Sequence, residues 1–150
     1  MSSLLSLLRS LLAPASLALG AALTVAACSS PAQEQAGQPC EAPADCYPEV
    51  DPAELAGEVV CIDRVPQGYC SHRCEVDADC CAVSGECATD VAQVCSPLES
   101  SPDRYCFVSC EAADVGNEDP AAYCLRLAGE GFGCRSTGGG ASNRKICLPN

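Results

Sequence analysis

The sequence predicts a small disulfide-rich fold: three tandem cysteine-rich repeats with short β-hairpins, one or two short helices and little hydrophobic core. Three observations lead to it. Fourteen of the fifteen cysteines fall between Cys40 and Cys147, about 13 per cent of that stretch, in the range of disulfide scaffolds. From Cys28 onward, Leu, Ile, Val and Phe together number 19 in 123 residues, too few to offset chain entropy by burial alone. The cysteines also recur in register. Residues 40–46 (CEAPADC) return as 74–80 (CEVDADC), at an offset of 34 that also carries Cys61 onto Cys95.

Residues 1–27 have the layout of an export signal, with one base at Arg9, an apolar run over 11–25 and small residues at Ala26 and Ala27. Val25, Ala26, Ala27 and Cys28 match the lipobox of bacterial lipoproteins, so the segment resembles that family's address signal. The resemblance implies cleavage before Cys28, a thioether-linked diacylglycerol on its sulfur and an acylated amine. Two or three acyl chains then hold the protein on a membrane, at about 0.8 kcal/mol for each buried CH₂. Ser29 in place of Asp implies, by the same resemblance, sorting to the outer membrane. Two alternatives compete: a plain secreted protein with an incidental Cys28, and an uncleaved span over 10–28, diluted by Pro14, Ser16, Gly20 and Thr24.

Residues 28–39 read as the lipidated cysteine and a flexible tether, small and polar over 29–38. The cysteine-rich region, 40–150, divides into repeats 40–73, 74–109 and 110–150. Their four frame positions are Cys40, Cys46, Cys61 and Cys70; Cys74, Cys80, Cys95 and Cys106; and Cys110, Cys124, Cys134 and Cys147. Cys81 and Cys87 are added in the middle copy alone. Even numbers in each repeat suit self-contained bridging, and Cys28 is left without a repeat. Spacing does not choose among the connectivities that remain. The pairing adopted joins first to third and second to fourth: Cys40–Cys61, Cys46–Cys70, Cys74–Cys95, Cys80–Cys106, Cys110–Cys134 and Cys124–Cys147, with Cys81–Cys87 as a local loop.

In the first copy, Asp51 suits an N-cap, Pro52 the first helical position and Glu54 a capping box, which predicts one turn ended by Gly57. Strands are expected over 58–64 and 69–72 around the Pro-Gly turn at 65–68, and over 91–95 and 105–108 in the middle copy. In the third, Asp119 caps a helix over 120–128 that Gly129 ends. A hairpin over 132–136 and 145–148 is expected to follow, around a mobile Gly-rich turn at 137–140.

Composition excludes more chemistry than it suggests. From Cys28 onward there are 20 acidic and 7 basic residues, so nucleic acid is not an expected partner. No C-x₂-C knuckle is present, which argues against a zinc site and a thioredoxin-type motif. Asp77 with Asp79, and Asp114 with Asn117, Glu118 and Asp119, lack the ligand spacing of a calcium loop. His72 is the only histidine, and in a strand its neighbour Ser71 points to the opposite face. It reads as a surface residue between two bridges. The expectation is therefore a protein that is not an enzyme and carries no cofactor and no metal.

The frame Cys-x-x-x-x-Asp-Cys, with further cysteines about every ten residues, resembles exported cysteine-rich repeat lipoproteins of the myxobacterial kind over residues 40–147. It is also loosely similar to the Dickkopf and colipase type of disulfide module. The middle copy's cysteines are similar to a knottin but place the adjacent pair at the second and third positions. No assigned activity comes with these resemblances. The expected function is a non-catalytic binding or structural module of the envelope, held to the membrane by lipid on Cys28 and meeting protein or glycan through loops at 96–102 and 136–144. The alternative is an inhibitor of secreted hydrolases, presenting residues 63–69 with Arg64 as its basic anchor.

Overall fold

The computed structural model describes residues 36–87, 91–138 and 140–150; the expected export signal over 1–27, Cys28 and residues 29–35 lie outside the described residues. Three antiparallel two-stranded sheets carry the architecture. They are β1 (Val59–Cys61) with β2 (Cys70–His72), β3 (Gln93–Pro97) with β4 (Arg104–Val108), and β5 (Phe132–Ser136) with β6 (Lys145–Pro149). β-Branched and aromatic residues, such as Val59, Val60, Val94, Tyr105 and Phe107, suit these pleated, half-covered surfaces.

In every hairpin the third and fourth frame cysteines stand directly opposite each other: Cys61 and Cys70, Cys95 and Cys106, Cys134 and Cys147. They are not bonded to one another. Opposed residues on a ladder send their side chains to the same face, so both reach onto the segment that lies over the hairpin. Cys61 bonds Cys40 and Cys70 bonds Cys46. Cys95 bonds Cys74 and Cys106 bonds Cys80. Cys134 bonds Cys110 and Cys147 bonds Cys124, while Cys81 and Cys87 close a loop of their own. These pairs coincide with the first-to-third, second-to-fourth scheme. The two frame bridges of each segment lie side by side, with three of their sulfurs within 4.8 Å of one another.

The acid of the repeated CExxADC motif shapes the overlying piece. Asp45 Oδ2 accepts from the Glu41 and Ala42 N–H groups at 2.9 and 2.8 Å, and Asp79 Oδ2 from those of Glu75 and Val76 at 2.8 and 2.9 Å. Each folds its carboxylate back over a 3₁₀ turn, Pro43–Asp45 or Asp77–Cys81. The third segment has thirteen residues between Cys110 and Cys124 where the others have five between their first two cysteines. That length admits α1 (Ala112–Val115) and α2 (Pro120–Ala128). Asp119 caps α2 by accepting from Ala121 and Ala122, Pro120 occupies its first position, and Gly129 at φ 105° ends it.

The segments are stitched by a recurring contact. Arg73 bridges Tyr105, and Ser109 bridges Ile146. In both, the residue before a first frame cysteine meets the residue before the fourth cysteine of the same frame. Residues 37 and 38 flank β2 in the corresponding way: Gly37 N–H donates to Cys70 O at 3.0 Å, and Cys70 N–H donates to Gln38 O at 2.8 Å. The chain is therefore packed from Ala36 on, and Ala36 itself is buried. The tether expected over 29–38 thus has its last residues paired to β2, because that strand edge would otherwise leave backbone groups unmatched.

Apolar residues are few, but the largest of their clusters draws on all three segments. Ile62 and Tyr69 of the first segment, Val94, Leu98, Tyr105 and Phe107 of the middle one, and Ile146 and Leu148 of the third form a single cluster. Tyr69 lies 5.3 Å from the Phe107 ring and 6.2 Å from that of Phe132, and its hydroxyl accepts from the Val108 N–H. The three segments share this core, and smaller clusters lie under the first segment, around Tyr47, Val50 and Leu55, and under the third, around Val115 and Tyr123.

Besides strand bounds, where 58–64 narrows to Val59–Cys61 and 91–95 becomes Gln93–Pro97, three local expectations differ from the structure. Residues 51–57 form turns, not a helical turn; Asp51 Oδ1 does accept from Ala53, but so short a piece gains too few bonds to nucleate a helix. The Gly-rich turn is held at its first residue, since Thr137 is buried and its carbonyl accepts from the Glu99 N–H. His72 is not on the surface: its side chain is 0 % exposed.

Candidate functional site

The turns of the three hairpins converge on one pole of the molecule. Residues 63–69, 96–102 and 136–144, which the sequence singled out separately, are in contact there. Glu99 N–H donates to Thr137 O at 2.6 Å, and the Ser96 hydroxyl lies 3.2 Å from that of Thr137. Arg64 stands 3.9 Å from Glu99, with their side chains 45 % and 72 % exposed. A hollow of about 180 Å³ opens between them, with Arg64, Val65, Leu98, Glu99, Arg135 and Leu148 in its lining. Arg135 is fixed in place by a bond from Nη1 to Pro149 O at 3.0 Å.

The 63–69 turn is drawn inward. Tyr69 is fully buried, and Cys40 N–H donates to Gln67 O at 3.1 Å. Gly68, at φ 70°, lies so close to Cys40 that an added Cβ would stand 2.1 Å from its carbonyl oxygen. Asp63, Arg64, Pro66 and Gln67 of this turn remain exposed, with the Gln67 carbonyl tied to Cys40.

A second, more polar cleft of about 620 Å³ lies between the first and middle segments, lined by Glu58, Arg73, Glu75, Asp79, Asp103 and Arg104. Its charges are largely spoken for. Arg73 is paired with Asp103 and with Glu58, and the bond to Asp103 holds its guanidinium pKa above the usual value. Arg104 donates to the Glu75 and Cys95 carbonyls at 2.7 and 2.9 Å. The Val76 and Glu75 N–H groups hold the Asp79 carboxyl below its usual range.

His72 belongs to neither opening. Its Nδ1 lies 2.9 Å from the Arg73 carbonyl, which can only accept, so that nitrogen carries a proton. Its Nε2 lies 2.7 Å from Glu86 Oε1, and the Glu86 side chain is 1 % exposed. Glu86 Oε2 accepts from the Val83 N–H at 3.0 Å. The added Cys81–Cys87 bridge ties off the loop that brings Glu86 back over the first segment. Tyr47 meets the His72 ring edge-on at 5.7 Å; burial pushes its phenol pKa up, and its hydroxyl has no hydrogen-bond partner. An imidazole and a carboxylate at this distance are the components of general acid–base chemistry, but both are sealed from any substrate. Ser71 takes no part, because its hydroxyl donates to Cys106 O at 2.7 Å.

The acids considered as calcium ligands have partners within the protein. Asp77 Oδ1 accepts from the Cys95 N–H, and Asp77 pairs with Arg144 at 3.0 Å. Arg144 also binds Glu111 at 2.6 Å, which lowers that carboxyl's pKa. Asp114 accepts from the Ser109 hydroxyl, Glu118 pairs with Arg126, and Asp119 caps α2. Cys28 lies outside the described residues; among those described, no helix is long and apolar enough to cross a membrane.

The sequence alone does not single out Glu86, Tyr47 or Arg135. A signal for Glu86 was present: it sits inside the one cysteine pair that the other copies lack. Arg135 carried none, since only the meeting of three turns brings it beside Arg64. No family model, no curated protein and no solved structure matches this chain.

Proposed function

We propose that this chain is an exported lipoprotein, anchored in a bacterial outer membrane through lipid on Cys28, whose folded part is a non-catalytic binding or structural module of the envelope. The observation that carries this reading is the convergence of three disulfide-held hairpin turns on one exposed pole. Rigid turns lose little conformational freedom on meeting a partner, so binding is not charged with the cost of ordering them. The seven disulfides suit an oxidising compartment. The acidity of the chain, −12 at pH 7, disfavours direct attraction to anionic lipid and leaves the acyl chains as the membrane contact. The lipobox resemblance at Val25 to Cys28 supports the anchor.

Intact mass of the protein from membranes, before and after reduction and alkylation, tests the anchor and the redox state together. The expected result is acyl mass on an N-terminal peptide beginning at Cys28, with fourteen alkylations appearing only after reduction. An unmodified thiol at Cys28 removes the anchor. Cross-linking in envelope preparations tests the module: adducts through the 96–102 and 136–144 turns are expected, and adducts confined to other faces remove the pole as its contact surface.

A further inference from the structure

The pole pocket has a composition that stands apart in this chain. Two arginines line each of the two openings described, but four acids join them in the larger cleft, Glu58, Glu75, Asp79 and Asp103, and only Glu99 does so here. Elsewhere among the described residues, Arg73, Arg126 and Arg144 are each held by carboxylates at short range, and Arg104 spends two donors on backbone carbonyls. Here Arg135 bonds only a backbone carbonyl, and Arg64 has a single loose carboxylate neighbour. The same lining holds the aliphatic side chains of Val65, Leu98 and Leu148, beside Ser136 and Thr137. Charge and hydrocarbon in one lining select a ligand with the same two parts.

We propose that this pocket binds a carboxylate carried on a short aliphatic group, the combination found where a peptide chain ends in a residue such as leucine. The volume sets the size. A water molecule's share of liquid is about 30 Å³, so 180 Å³ holds one aliphatic side chain and little more. Guanidinium matches a carboxylate through paired N–H donors. Phosphate would satisfy the arginines but leave the aliphatic side chains facing water. Glu99 supplies an internal precedent, since its carboxylate already stands at the mouth beside Arg64. At 3.9 Å, with its side chain 72 % exposed, it holds that place weakly and is displaced at little cost. It is a built-in competitor of the same chemistry.

The proposal rests on the hairpin pole being a contact surface. Its test is titration of the oxidised full chain in detergent with the tripeptide Ala-Ala-Leu, its C-terminal amide, acetyl-leucine and inorganic phosphate, read by chemical shifts of the 64, 99 and 135 amides. Saturable binding of the free acid is expected, with a dissociation constant on the order of 0.1–1 mM for so few ligand atoms. The amide should bind at least tenfold more weakly, and so should the free acid to Arg64→Gln and Arg135→Gln. Glu99→Gln should tighten binding about threefold, by removing the competitor. That variant sits on the surface and guards against a fold defect in the arginine variants. Acetyl-leucine competing as well as the peptide would assign the site to small acids of the same chemistry, and the tripeptide binding better would assign it to chain ends. Equal binding of the amide, phosphate binding above the free acid, weaker binding to Glu99→Gln, or no binding at 10 mM would each overturn the proposal. Envelope cross-links through the pole that persist in the double arginine variant would keep the contact surface while removing this ligand from it.

Discussion

The first and middle segments build the same bridged hairpin, yet treat one matching position in opposite ways. Two residues past the fourth frame cysteine stands His72 in the first and Val108 in the middle segment, both fully buried. Val108 packs among Val115, Tyr123 and Cys147 of the third segment. His72 instead meets Glu86, delivered by a loop that only the middle segment has. A slot that packing fills with hydrocarbon at one interface is filled at the other by a polar pair. The frame of cysteines tolerates this because the bridges, not the slot, hold each hairpin to its overlying piece. An insertion and its partner across the interface have to be understood together.

The largest effect expected from breaking this pattern is at Gly68. Gly68→Ala would place a Cβ 2.1 Å from Cys40 O and 3.0 Å from the sulfurs of Cys40 and Cys61. The first segment should fail to oxidise to a single species on unreduced gels. At Gly85, also at positive φ but with nothing within 4 Å, the same change should cost only backbone strain, roughly 1–3 kcal/mol.

Next comes the polar slot itself. His72→Ala or Glu86→Ala leaves a buried partner unmatched and should cost about 3–5 kcal/mol in chemical denaturation. The double change His72→Val with Glu86→Leu gives the first segment the apolar solution of the middle one and should recover most of that loss, to within about 1–2 kcal/mol of the parent. A double variant as unstable as the singles would show that the slot is not interchangeable between segments.

Removing the added bridge by Cys81→Ser with Cys87→Ser should be milder. It closes a loop of sequence separation 6, worth about 2 kcal/mol on the chain-entropy account. The His72 ring should become exchangeable with solvent in proton NMR, while the other six bridges form as before.

The smallest effect is on acid stability. Asp45 and Asp79 are held below the ordinary value of 3.8, Asp45 by the Glu41 and Ala42 N–H groups and Asp79 by those of Val76 and Glu75. A carboxyl lowered in the folded chain stabilises it fully above the unfolded value and ceases to as pH falls through the lowered one. Asp45→Asn and Asp79→Asn should each flatten the loss of stability below pH 4, by similar amounts because the two motifs are built alike. A flattening at one position alone would mean that the two turns differ in solution.

Much of the hairpin frame was legible because cysteine spacing, Pro-Gly turns and helix caps act locally. Asp119, Pro120 and Gly129 delimit α2 at the residues expected, and Phe132–Ser136 forms β5 as read. What the sequence hid is tertiary. The burial of His72 depends on Glu86, fourteen residues away and in another segment, and no local pattern marks that pairing. The shared core was also invisible to composition, which counts Tyr69, Phe107 and Ile146 but cannot place them together. The pole pocket is of the same kind, since Arg64 and Arg135 meet only when the first and third segments fold against one another. The turn at 51–57 failed in the other direction: caps without enough residues between them make turns, not helices.

The most direct test of three bridged segments around one shared core is a disulfide map of the oxidised chain. Proteolysis at acid pH, with stepwise partial reduction to separate the adjacent Cys80 and Cys81, allows every bridge to be assigned by mass. The structure predicts Cys40–Cys61, Cys46–Cys70, Cys74–Cys95, Cys80–Cys106, Cys81–Cys87, Cys110–Cys134 and Cys124–Cys147, with no bridge joining two segments. A bridge between segments, or Cys80 paired with Cys87 and Cys81 with Cys106, would contradict it.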